Sequence, residues 1–122
     1  MKRIALALAF MFLCACKSDA ARCAHCGMKI DPQSPWNAEI VDGANVARFD
    51  TPRCAFDTWK SNGKRGTVRV QDYYDRKMQN ASEMHFIEGS DVIGPMGPEL
   101  VPVDATRVAK FEKDHGGEEQ SP

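Results

Sequence analysis

Two segments of the chain open a helix in the same way, and that repetition narrows the possible folds sharply. Phe49-Asp50-Thr51-Pro52-Arg53 aligns with Val103-Asp104-Ala105-Thr106-Arg107, and each follows an apolar, strand-like stretch. Both openings carry side chains able to cap free backbone N–H groups. The first adds a proline early in the helix, where its missing N–H costs little. Trp36 to Val41 reads as a strand, Asp42-Gly43 as a tight turn and Asn45 to Phe49 as the hairpin partner. The helix from Pro52 to Lys60 stops at Ser61-Asn62-Gly63, and the alternating Thr67 to Val70 forms a closing strand. The order then recurs. Met84 to Ile87 is a strand, Gly94 to Pro98 a loop and Leu100 to Val103 a short strand. A helix from Ala105 to about Asp114 places Val108 and Phe111 on one face and ends at Gly116-Gly117.

The expected fold is therefore α+β, with two small ββαβ-type units arising by internal duplication. Residues 23–78 form the first unit and residues 79–117 the second. Glu118 to Pro122 reads as a polar tail, which leaves the second unit without its final strand. Units this small bury little apolar surface alone, so they need each other or a metal.

The amino terminus is a separate matter. Lys2 and Arg3 precede a nearly unbroken apolar run from Ile4 to Ala15. Twelve helical residues span about 18 Å, short of the roughly 30 Å hydrocarbon core, so the run reads as a signal segment over residues 1–15. Leu13-Cys14-Ala15-Cys16 has the form of a bacterial lipobox, which makes Cys16 the acylation site and residues 16–22 a lipidated tether. Several acyl chains on one cysteine anchor stably, at about 0.8 kcal/mol per buried methylene. Lys17-Ser18, with no aspartate after the cysteine, points to the outer membrane with the chain facing the periplasm. The formal charge of −1 becomes −3 once Lys2 and Arg3 are removed. That balance leaves no electrostatic footprint for nucleic acid.

Of five cysteines, Cys14 leaves with the signal and Cys16 takes the lipid, so Cys23, Cys26 and Cys54 remain. Three thiols cannot all pair, and at least one is free, intermolecular or metal-bound. Cys23-Ala24-His25-Cys26-Gly27-Met28 is the strongest chemical signal in the chain. Thiolate and thioether are soft donors that favour Cu(I) over hard cations. Gly27 gives the backbone between Cys26 and Met28 room to bend. Cys23 and His25 lie within reach of the same ion. Met96, in the stiff loop Gly94-Pro95-Met96-Gly97, competes with His85 and His25 as a further ligand, and the residues alone leave that choice open. Cys54, near a helix start, reads as a small buried hydrophobe, and His115 as a partner of a helix C-terminus.

Two other readings stand beside copper. Zinc takes four Cys or His ligands, and without a second Cys-x-x-Cys it would need Cys54 plus a scattered histidine, giving a zinc-stapled adaptor lipoprotein. A Cys23–Cys26 redox couple would instead make a thiol redox protein, although the motif does not sit at a strand-to-helix junction. No general base, activated nucleophile or open catalytic metal is evident, so the chain reads as a binding protein and not an enzyme.

Five ordered motifs resemble the NosL family of lipoprotein copper chaperones associated with nitrous oxide reductase. They are Cys23-x-x-Cys26-Gly27-Met28, Phe49-Asp50, Asp72-Tyr73-Tyr74, the segment from Gly89 to Pro102 that contains Gly94-Pro95-Met96-Gly97, and His115-Gly116-Gly117. The resemblance implies paired ββαβ units of a kind shared with organomercurial lyase, periplasmic exposure, a lipid anchor and one Cu(I) near the Cys-x-x-Cys-Gly-Met motif. By position it carries metal binding to Cys26 and Met28 and a second methionine loop to Met96. It also implies a copper-accepting metalloenzyme as partner, nitrous oxide reductase being the family's own.

Overall fold

The computed structural model describes residues 20–122, so the expected signal segment and the acylation site Cys16 lie outside the described residues. Strand β1 (Ala38–Asp42) turns through Gly43-Ala44, one residue later than the expected Asp42-Gly43, into β2 (Asn45–Phe49), with Gly43 at φ +60°. Helix α1 (Pro52–Ser61) follows, and β3 (Thr67–Gln71) returns along β1. A further strand, β4 (Met78–Asn80), extends the sheet to the order β2-β1-β3-β4. This strand crosses the boundary expected at residues 78/79.

The second unit follows the order of β1, β2, α1 and β3 in the first, with no counterpart of β4 among the described residues. β5 (His85–Glu88) pairs with β8 (Val101–Val103) on one side and β9 (Glu118–Gln120) on the other. Between β8 and β9 runs α2 (Val108–His115), preceded by a 3-10 turn at Ala105–Arg107. The order β8-β5-β9 thus reproduces β2-β1-β3. A small hairpin, β6 (Ile93–Gly94) with β7 (Gly97–Pro98), replaces the loop expected around Met96.

The expectation of a missing final strand is corrected by β9, which lies in the stretch read as a polar tail. Glu118-Glu119-Gln120 has no apolar residue and all three side chains are exposed, so no alternation marks it. Backbone pairing to β5 holds it instead, aided by a glycine. A Cβ on Gly117 would sit 2.7 Å from Ile87 Cγ2 and 2.8 Å from Glu88 O. Gly66 occupies the same place before β3, where a Cβ would meet Ile40 Cγ2 and Val41 O, both at 2.9 Å. Each closing strand therefore approaches its unit's first strand too closely for any side chain at its entry.

The core is shared through β5. Phe86 points into the larger cluster with Ile40, Phe49, Phe56, Val68 and Val70, while Ile87 points to Val101, Val103 and Phe111. Adjacent strand residues face opposite sides, so one strand serves both units. The Phe56 and Phe86 rings meet edge-to-face at 5.1 Å, which ties α1 to the second sheet. Buried carboxylates add two ties. Asp72 accepts from Tyr74 N and Asp75 N on one oxygen and from Asp104 N of the second unit on the other. Reciprocally, Glu99 of the second unit accepts from Arg53 N at the start of α1. Each unit thus holds the opening of the other's helical segment. Among the described residues no helix is long and apolar enough to cross a membrane.

Candidate metal centre

The Cys-x-x-Cys-Gly-Met motif forms a pinned turn. Cys23 N donates to Met28 O at 2.8 Å, Gly27 N to Cys23 O at 3.0 Å and Ile30 N to Ala21 O at 2.8 Å. Gly27 adopts φ +77°, the left-handed region that suits glycine, and lets the chain fold back after Cys26. Ala21 and Arg22, read from the sequence as the end of a tether, already belong to this structure, since Arg22 bridges to Lys29. Ala24 N donates to Arg48 O at 2.9 Å, which straps the turn to β2. The fold carries Cys23 into the core while Cys26 opens to solvent.

The other half of the site comes from the junction of β2 and α1. Thr51 is the helix N-cap, its hydroxyl oxygen accepting from Cys54 N at 3.2 Å. That cap orients the first turn of α1 and seats Cys54 behind Asp50. Sγ atoms of Cys23, Cys26 and Cys54 and a carboxylate oxygen of Asp50 all lie within 4.8 Å of one another. The Cys26 thiol faces both Asp50 oxygens, at 3.5 and 3.6 Å. From the second unit, the β6–β7 hairpin brings Met96 Sδ to 3.8 Å from Cys54 Sγ. Met28 and Met96 are respectively 44% and 55% exposed, and so offer thioether surface to solvent.

Burial pushes the Cys54 thiol well above its ordinary range, with the Thr51 contact opposing and Cys23, Asp50 and Cys26 adding to the rise. Loss of water around Sγ likewise raises the Cys26 thiol, against a hydrogen bond from the Met28 backbone. Both thiols are thus held protonated, and a cation that bound them would have to displace those protons.

Of the six ligand candidates in the sequence, the fold places Cys23 and Cys26 side by side and brings Met96 to the same cluster through Cys54. Met28 stays two residues from Cys26 on the exposed turn. The two histidines are directed elsewhere. His25 Nδ1 is 3.1 Å from Thr58 Oγ1 on α1, and the His85 imidazole pairs with Glu119 on β9. Two members of the cluster, Cys54 and Asp50, were absent from the copper ligands expected from the sequence. Cys54 is buried as expected, yet it lines the site, and Asp50 looked like one more helix-opening side chain. The signal was available in Asp50-Thr51-Pro52-Arg53-Cys54, because a capped first turn sets the residue three beyond the cap near the cap's own approach.

The NosL family model matches residues 16–121 of this sequence. The chain belongs to the NosL family. The match runs through β9, in keeping with that strand as part of the fold and not an appended tail. Among solved structures the chain is similar to the copper chaperone NosL from Shewanella denitrificans, with a TM-score of 0.69 and 22% identity. The alignment covers 82% of this chain and 85% of that one, and the likeness establishes a shared NosL fold. No curated protein matches the sequence.

Proposed function

We propose that the chain is a membrane-anchored, periplasm-facing chaperone that carries Cu(I) as cargo and delivers it to a metalloenzyme, with nitrous oxide reductase the leading recipient. The observation that carries this reading is the sulfur cluster formed where the two units meet. Cys23, Cys26 and Cys54 lie together, Met96 touches Cys54, and Met28 stands exposed beside Cys26. A monovalent, polarisable ion is what such donors favour. Membership of the NosL family and the fold of a solved copper chaperone support it.

Cys26 and Met28 are the primary ligands in this account and Met96 the third, with Cys54 and Cys23 behind them. Ligands partly open to solvent suit transfer over storage. An incoming thiolate, thioether or imidazole bonds to copper as one protein sulfur lets go, so the ion is never bare. The chain holds and releases the ion without transforming a substrate, which is not enzymatic work. Removal of residues 1–15 and acylation of Cys16 would place the chain on the outer membrane, and Cys16→Ser should move it to the soluble fraction.

Titration of the reduced protein with Cu(I) against a competing chelator tests the assignment. Cys26→Ser and Met28→Leu should each weaken binding, and unchanged affinity in both would remove these ligands from the account.

A further inference from the structure

The formal charge of −1 conceals a division between the two halves of the chain. Residues 20–80 carry ten Lys or Arg against seven Asp or Glu, a formal +3, whereas residues 81–122 carry three against nine, a formal −6. The fold gathers much of the positive excess at one end of the first sheet. Ala20 and Ala21, where the described chain begins, line a cavity of about 420 Å3 together with Lys29, Arg48, Gln71 and Met78. Arg22 bridges to Lys29. The Gln71 amide reaches Arg76 O at 3.5 Å and Asp72 N donates to Lys77 O at 3.0 Å, so the turn between β3 and β4 comes to the same end. Arg22, Lys29, Arg48, Arg76 and Lys77 are all exposed, and none of the five has an ion-pair partner among the described residues. The carboxylates nearby are Asp31 and Asp75, which accept from Gln33 N and Lys77 N, and Glu39, which pairs with Arg69 at 2.6 Å. Three positive charges remain in excess there.

We propose that this basic end is a docking surface for an anionic phospholipid membrane, a second contact beside the lipid on Cys16. The occupant follows from where the chain enters the fold. Cys16 stands four residues before Ala20, and four residues span at most about 14 Å. Acylation of Cys16 would therefore keep the basic end close to the headgroups, at a high local concentration and with little left to lose in translation. The choice of a membrane as occupant rests on that proposed acylation, whereas the attraction of the basic end for anionic lipid does not.

Docking fixes an orientation. Attraction of the five cations turns the first unit toward the bilayer, and repulsion of the acidic residues 81–122 turns the second unit away from it. The segment from Cys23 to Met28 lies between Arg22 and Lys29, so the exposed Met28 comes to rest beside the headgroups.

The first measurement uses residues 16–122 with Cys16→Ser, which keep every described residue and carry no lipid. The reduced protein is sedimented with vesicles of phosphatidylcholine alone, or mixed with an equal part of phosphatidylglycerol. Each Lys or Arg near an anionic surface contributes about fivefold in partition, so an excess of three charges predicts about 100-fold tighter binding to the mixed vesicles. Lys29→Gln and Lys77→Gln should each weaken that binding about fivefold, and together about 25-fold. Lys113→Gln, the same loss of charge on α2, should leave it unchanged. Salt at about 1 M, where the screening length falls to about 3 Å, should abolish the preference. Equal partition into the two kinds of vesicle overturns the inference and leaves the basic end to an acidic protein partner. A loss with Lys113→Gln as large as with Lys29→Gln overturns it too, because net charge and not this surface would then be responsible.

The second measurement places the acylated wild-type chain on the same vesicles, acetylates its lysines briefly and reads each site by mass spectrometry. Lys29 and Lys77 should be shielded relative to Lys113 on the mixed vesicles only. Equal labelling of Lys29 and Lys77 on both kinds of vesicle overturns docking. A wild-type chain without acyl mass on Cys16 would defeat the anchor alone, with the preference in the first measurement still supporting the surface. An acylated chain with equal partition in the first measurement would defeat this inference alone.

Discussion

Gly66→Ala, set against Gly63→Ala, tests whether close strand approach is what closes each unit. The two glycines have nearly equal backbone angles, φ +80° and φ +79°. Alanine in that left-handed region costs about 1–2 kcal/mol at either place. Restriction of the unfolded chain is also the same for both substitutions and cancels in the comparison. The surroundings differ. Nothing lies within 4 Å of a Cβ at residue 63, whereas at residue 66 it would meet Ile40 Cγ2 and Val41 O at 2.9 Å and Asp42 Cβ at 3.2 Å. Two of these neighbours are on the backbone or packed core of β1 and cannot swing away. Forcing extra volume into such a place costs about 1–3 kcal/mol. At roughly 4–8 °C per kcal/mol for a domain of this size, the two variants should melt about 10 °C apart, Gly66→Ala the lower. Thermal and urea unfolding of the reduced, metal-free protein, followed by circular dichroism, would measure the gap. Equal midpoints would refute the argument that β3 enters against β1 without room for a side chain. Gly117→Ala should then repeat the larger loss in the second unit, where the contacts are 2.7 and 2.8 Å.

Three further predictions follow from named contacts. Asp72→Asn turns one of two accepting oxygens into a donor that faces backbone N–H groups, and should cost about 2 kcal/mol of stability in urea unfolding. Thr51→Ala removes the cap on α1 and should cost about 1 kcal/mol, with a Cu(I) affinity loss beyond the stability loss because the cap also seats Cys54. His85→Ala should leave Cu(I) affinity untouched, because the imidazole is engaged with Glu119, whereas Met96→Leu should weaken it about tenfold, or roughly 1.4 kcal/mol, in the same chelator competition.

What the sequence disclosed and what it hid divide along physical lines. β1, β2, β3, β5 and α1 announce themselves through apolar alternation, an Asp-Gly turn and a capped Pro-containing helix start, because their side chains decide their structure. β9 has no such code. Its register comes from backbone pairing with β5 and from a glycine whose importance depends on a neighbour 30 residues earlier. The β6–β7 hairpin is equally short, and its prolines and glycines read as loop. At the site, Cys23 and Cys26 were legible because they share a local motif. Cys54 and Asp50 join them only through the path of β2 into α1, and Met96 only through the packing of the second unit on the first. His25 and His85 were plausible donors by residue type, and their actual partners, Thr58 and Glu119, are set by tertiary neighbours.

X-ray absorption at the copper edge of the Cu(I)-loaded protein addresses the central claim most directly. The account predicts sulfur as the nearest scatterer, with a lower sulfur amplitude in Cys26→Ser. Copper surrounded by nitrogen and oxygen, with no sulfur among its neighbours, would contradict it.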